Sequence, residues 1–188
     1  MNNIWFVSDM HFGHNNIIEY CERPYRSVEE MDQTLVDNWN DYVKPSDTVW
    51  HLGDWAFHNY ERIGQLNGHI RSVPGNHDHE RAKKILPFLP NGFEAEVVYL
   101  KIDREHRFTL CHYPMEAWRR DHKYHLHGHT HGMFAQLSDA TRAHYFGYRG
   151  NIPFRMDVGI DAVKLYRPIH LDEVMERIQK RSADNDST

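Results

Sequence analysis

Only two cysteines occur in the 188 residues, Cys21 and Cys111. They allow a single bridge at most, and neither has a zinc-type partner at short spacing, so a disulfide-built secreted scaffold is excluded and a reducing cytoplasm is the expected compartment. Long apolar runs are also missing. Ile4-Trp5-Phe6-Val7 is among the longest, far below the roughly 20 residues a helix needs to cross a bilayer. Met1-Asn2-Asn3 leads straight into that run without a basic segment, a long apolar region or a small-residue cleavage site, so no secretion signal is expected. No repeat of solenoid period appears, and no Gly/Ser-rich or Pro-rich linker divides the chain. Positive charge is not in excess either: 22 Lys plus Arg against 27 Asp plus Glu leave −5 at pH 7. No global field is therefore available to hold a nucleic-acid polymer, although a local basic patch remains compatible with this balance.

What is present is enough for a core. Hydrophobic residues make up 40% and charged residues 26%, which excludes a disordered or low-complexity chain and fits one domain over residues 1–181 with a flexible polar tail at 182–188. Histidine is abundant, 16 residues in all, and histidine is both the commonest metal ligand and a frequent acid–base group. Short apolar strands are predicted at Ile4–Val7, Thr48–Leu52, His69–Val73, Phe108–Cys111 and Tyr124–Leu126. A capping box, Ser27 with Glu30, precedes Met31, Leu35, Trp39 and Tyr42 at helical spacing. Further helical patterns cover Tyr60–Leu66, His79–Leu86 and Leu171–Arg181. This mixture predicts a layered α/β fold with polar residues gathered at strand ends, where open sheets place their sites.

Those strand ends read Asp9-x-His11, Gly53-Asp54, Gly75-Asn76-His77-Asp78, His112 and Gly128-His129-Thr130-His131. Singly, each has an ordinary reading as a solvated strand end, a turn or an Asx loop. Together they supply oxygen and imidazole donors suited to a transition metal. If the segments stay extended, Asp9 and His11, or His129 and His131, project to one side. Gly53, Gly75 and Gly128 allow tight turns or close approach.

In this order the segments resemble the ordered motifs of the calcineurin-like metallophosphoesterase superfamily, with flanking words such as Leu110-Cys111-His112-Tyr113-Pro114 similar to a compact bacterial and phage branch. The resemblance implies a four-layer αββα sandwich and a phosphoric ester hydrolase with two divalent transition-metal ions, Mn, Fe, Zn, Co or Ni. Asp9, His11, Asp54 and His131 would hold one ion, and Asp54, Asn76, His112 and His129 the other, with Asp54 bridging. Hydroxide readied by the metals would attack phosphorus in line. His77 would protonate the leaving group, with Asp78 orienting its ring. His14, Arg23, Arg119 and Arg120 are candidate substrate contacts, and Arg26 and Lys123 lie in similar loops. His51, His125 and His127 are expected to be buried structural residues, and His58 an exposed helix start. Trp55, Phe57, Tyr60, Trp118, Tyr145 and Tyr148 could stack on a base or sit in the core. Residues Gln136–Arg155 could form a lid, and the roles of Asp157 and Asp161 are open. The expected substrate is a small soluble phosphate ester, a nucleotide or cyclic nucleotide ahead of a sugar phosphate, with no membrane partner. A nuclease would share every motif, and a catalytically silent metal-binding scaffold is the alternative from another class.

Overall fold

The computed structural model describes residues 3–133 and 154–186. Strands β1 (Ile4–Val7), β2 (Thr48–His51) and β3 (His69–Ser72) pair in parallel, and β8 (Ile169–His170) closes the far edge antiparallel to β1. The second sheet runs β4 (Val97–Lys101), β5 (Arg107–Cys111), β6 (Tyr124–His127), β7 (Arg155–Asp157), antiparallel between β4 and β5 and parallel thereafter. Side chains alternate faces along a strand, and the two faces of β1 build two cores. Trp5 and Val7 join Val49 against Met31, Leu35 and Trp39 of helix α2 (Val28–Tyr42). Phe6 points the other way, to Trp50, Leu52, Phe108, Leu110, Leu126 and Met156 between the sheets, with its ring 5.5 Å from that of Phe108. The result is the α/β sandwich of two stacked sheets with helices that the sequence implied.

Helix α2 starts where Ser27 Oγ accepts from the Glu30 amide at 3.2 Å, and Glu30 Oε2 in turn accepts from the Arg26 amide at 2.9 Å. Helix α1 (Asn15–Tyr20), β4, β7, helix α4 (Ile160–Val163) and β8 were not predicted. Four of these five are shorter than two helical turns or span two or three residues, too few for a periodic signal. Tyr60–Gln65 is 3₁₀ rather than α-helical. Helix α3 covers Asp78–Ile85, and α5 runs from Leu171 to Asp186, through most of the expected tail. Ser182, Ala183 and Asp184 contain no glycine or proline to stop it. The expected lid lies, over residues 136–153, outside the described residues. Cys21 and Cys111 are both free. Among the described residues no helix is long and apolar enough to cross a membrane.

Strands β1, β2 and β3 are parallel to one another, as are β5 and β6, so within each sheet the motif-bearing tips lie at one edge, and the His129 amide, donating to the Asp9 carboxylate, joins the edges of the two sheets. His51, His125 and His127 are buried as expected. His125 donates from Nδ1 to the Thr109 carbonyl at 2.9 Å and accepts at Nε2 from the Met115 amide at 3.0 Å, which fixes the neutral ring. Burial, then the neighbouring His127, pull its pKa down to about 3. The unfolded chain therefore binds a proton near pH 6.5 that the folded chain refuses, so stability is full above that pH and falls as pH drops towards 3. His125→Gln is expected to remove part of the slope, which approaches about 1.4 kcal/mol per pH unit for one such group. Urea midpoints between pH 7 and 4 measure it; an unchanged slope would contradict this assignment.

Candidate metal centre

At the shared edge, four turns are laced together by backbone bonds. The amides of Asp9 and His11 donate to the carbonyls of Gly53 and Asp54 at 3.0 and 3.1 Å, and the Gly128 amide donates to the His112 carbonyl at 3.0 Å. Close approach depends on glycine: a Cβ on Gly128 would run into Ser8 Oγ and Asp9 Oδ2, and one on Gly75 into Asp54. The expectation that Asp9 and His11 converge by strand alternation is not met. Asp9, His11, Asp54, His129 and His131 all have left-handed backbones, with φ of 61°, 54°, 62°, 69° and 48°. Non-glycine residues adopt that region at a cost, and such strain gathers at sites where geometry must be imposed. Here it brings side chains that would otherwise diverge to within a few ångströms of one another.

The seven expected ligands form an unbroken arc of donor atoms. His131 Nε2 is 4.0 Å from Asp9 Oδ1, which is 3.9 Å from His11 Nε2. Asp54 Oδ2 then lies 3.6 Å from both His11 Nε2 and His112 Nε2. Asn76 Oδ1 completes it, 2.9 Å from His112 Nε2 and 3.0 Å from His129 Nδ1. The 3.6–4.0 Å separations are too long for hydrogen bonds but suit two donors turned towards one cation. Both ring nitrogens of His11 are buried without a hydrogen-bond partner, a state rarely tolerated unless something else is bound there. Burial, followed by the charges of Arg23 and the nearby histidines, holds His11 well below its ordinary pKa and hence neutral, the form that ligates. Burial raises the Asp9 carboxyl; His131 opposes this, and Asp157, Asp54 and Asp161 add to it. A divalent cation would offset that crowding of carboxylates. The donor set therefore fits a transition-metal centre. Asp9 with His11 and His131, and Asp9 with Asp54 and His112, each bring their ligand atoms within 4.8 Å of one another.

The surrounding residues are less as expected. Asp78 does not orient His77. Its Oδ2 accepts from the Asp54 and Gly75 amides, both at 2.8 Å, and its Oδ1 from the Trp55 amide at 2.9 Å, so it clamps two turns of the site together. Arg23 is no substrate contact but a buried strut. It donates from Nε and Nη2 to Asp161 at 2.8 Å each, and to the carbonyls of Met10 and Asp9 at 2.9 and 2.8 Å. Asp161 accepts from His131 Nδ1 at 2.7 Å, and Nε2 of the same ring lies 4.0 Å from Asp9 Oδ1. A carboxylate behind a ligating imidazole is the usual second contact of a metal histidine. Asp157 braces the same turn, accepting from Thr130 Oγ1 at 2.5 Å and from the amides of Gly132 and Gly159. Arg119 is not brought to the arc: it pairs with Asp121 at 2.6 Å and lies over Tyr99, mid-strand on β4, and Arg120 beside it is exposed. Trp55 is wholly buried, stacked on His51 at 3.4 Å. His58 is exposed, and Tyr145 and Tyr148 lie outside the described residues.

His77 and His14 do lie beside the arc, each next to His11. The His77 ring is 5.9 Å from that of His11 and 4.7 Å from Phe57, and its amide donates to Asp54 Oδ1 at 3.1 Å. His14 stacks on Phe57 at 3.9 Å, and burial, with Arg23 and His77 next, lowers its pKa to about 4. Opposite them, exposed Tyr113 stands edge-on to His129 at 4.8 Å.

Residues 2–151 match the model of the calcineurin-like phosphoesterase superfamily domain. An uncharacterized protein of Methanocaldococcus jannaschii is 31% identical over 187 residues, covering 96% of this chain and 93% of its own length. The gene 66 protein of Mycobacterium phage D29 is 27% identical over 95% of this chain and 96% of its own, and that of phage L5 is 39% identical over 42% and 41%. A crystal structure of a protein of unknown function from Aquifex aeolicus superposes with TM-score 0.63 at 22% identity, over 94% of this chain and 99% of that one, and speaks for the fold alone.

Proposed function

The chain belongs to the calcineurin-like phosphoesterase superfamily, and from that premise we propose that it is a dinuclear, metal-dependent hydrolase of small phosphate esters. The observation that carries the reading is the position of one Asp54 oxygen, 3.6 Å from an imidazole nitrogen on either side. In this reading Asp9, His11, Asp54 and His131 hold one ion and Asp54, Asn76, His112 and His129 the other. Bound divalent ions supply Lewis acidity, polarising phosphoryl oxygens and lowering the pKa of water towards about 7.

The chain's own residues do the rest. The arc fixes where the phosphoryl group sits, and His77, half-buried beside His11, gives a proton to the departing oxygen. Phe57 and His14 lie beside the arc on that side, and Tyr113 beside His112 and His129 on the other. Flat rings around a phosphate site favour a nucleotide, linear or cyclic, over a sugar phosphate. The formal charge of −5 weighs against a polymer nuclease, and the full set of donors with His77 weighs against a silent scaffold.

Chelator-stripped protein should be inert and should regain hydrolysis when Mn²⁺ is added, on at least one of p-nitrophenyl phosphate, bis-p-nitrophenyl phosphate, a nucleotide, a cyclic nucleotide or a short oligonucleotide. Full metal loading without turnover of any ester would favour the scaffold. Turnover of the oligonucleotide alone would make the enzyme a nuclease.

A further inference from the structure

Arg81 lies on the first turn of α3, beside His77. Its Nη1 donates to the His77 carbonyl at 3.0 Å, and its guanidinium carbon lies 4.2 Å from the centroid of the Phe57 ring. That ring also meets His14 at 3.9 Å and His77 at 4.7 Å. The charge of Arg81 is felt at His14, where it is among the influences lowering the pKa. Its side chain is 23% exposed, and its acidic neighbour Glu80 sits 3.7 Å from Nη1 but is itself 85% exposed. Such a pair is a weak surface contact. Among the described residues, then, one bond and a ring face hold the guanidinium in place while most of its N–H donors have no fixed acceptor.

A guanidinium held rigid with donors to spare is a ready receptor for a phosphate, through two parallel bonds. Its fastening to the residue assigned to the leaving-group side sets which part of the substrate it meets. From this placement we infer that Arg81 binds a second anionic group on the leaving fragment, so that the preferred substrates are phosphate esters whose departing part carries another phosphate. This deepens the phosphoesterase reading and rests on it.

Two matched pairs that differ only in a 5′-phosphate on the leaving ribose test this: adenosine 3′-monophosphate against adenosine 3′,5′-bisphosphate, and adenosine 2′,3′-cyclic monophosphate with and without a 5′-phosphate. Wild type should show the higher kcat/KM for the 5′-phosphorylated member of the pair it hydrolyses. Arg81→Gln should lower the ratio within that pair by at least about tenfold, chiefly through KM, and Arg81→Lys by less, because lysine keeps the charge without the fork. An unchanged ratio in Arg81→Gln, including an equal fall on both members from a disturbed helix, overturns the inference. Turnover of p-nitrophenyl esters with neither pair hydrolysed overturns it as well and leaves the phosphoesterase reading intact. No turnover of any ester removes that reading first.

Discussion

Replacing His77 by alanine is expected to slow hydrolysis of an ester with a poor, alkyl leaving group by about 10²–10⁴-fold, the usual worth of a positioned proton donor. The same change should cost far less on p-nitrophenyl phosphate, whose phenolate departs without help. His77 is well placed for that selective loss. It sits on the turn before α3 with its amide fixed to Asp54, while among the described residues its ring meets the rings of His11 and Phe57. Removing the imidazole therefore leaves the ligand arc intact. With metal content shown equal in the two proteins, kcat would be compared across alkyl and aryl esters. Equal losses on both would mean that the ring binds or orients the substrate rather than protonating it.

The second large effect concerns the strut beneath the arc. Arg23→Met should destabilise the fold by about 3–5 kcal/mol, because it leaves Asp161 as a buried carboxylate without its guanidinium. Burial alone would raise the Asp161 carboxyl, but hydrogen bonds from His131 and Arg23 hold it below the usual carboxylate range. The arginine also ties down the carbonyls of Asp9 and Met10, so its loss frees the strained turn that presents Asp9 and His11. Asp161→Asn is the gentler probe. It keeps the shape, weakens the grip on His131 Nδ1, and should lower metal affinity about 10–100-fold. Denaturant unfolding of the first variant and Mn²⁺ titration of the second report on these effects. An Arg23→Met protein as stable as wild type would show that the network carries no weight.

The set of donor side chains that the fold brings together was legible in the sequence because its chemistry is local. Four of the five turns pair a donor side chain with glycine or a second donor at the end of a short strand, His112 standing alone, and the seven donors do meet. The means of convergence was not legible. Alternation along an extended strand places Asp9 and His11 on one side, yet both adopt the left-handed backbone, and composition does not announce that strain. The supports were hidden for another reason: Arg23 and Asp161 lie 138 positions apart, and no local pattern pairs them. Asp157 and Asp161 could be noticed only as acids near a short strand. Asp78 misled in the opposite way, since adjacency to His77 suggested a partner whereas its carboxylate faces three backbone amides. Arg119 and Arg120 lie close to His112 along the chain, but the loop carries Arg119 back over Tyr99 of β4 and leaves Arg120 exposed. In the fold, long strands and the capped helix were readable by period, and two- or three-residue strands such as β7 and β8 were not.

Calorimetric titration of chelator-stripped protein with Mn²⁺, run on wild type and on Asp54→Asn, bears most directly on the shared-carboxylate arrangement. Wild type should take up about two equivalents per chain, and the variant, lacking the anion that offsets repulsion between neighbouring dications, one or none. Uptake of no metal by wild type, or identical stoichiometry and affinity in both proteins, would contradict the account.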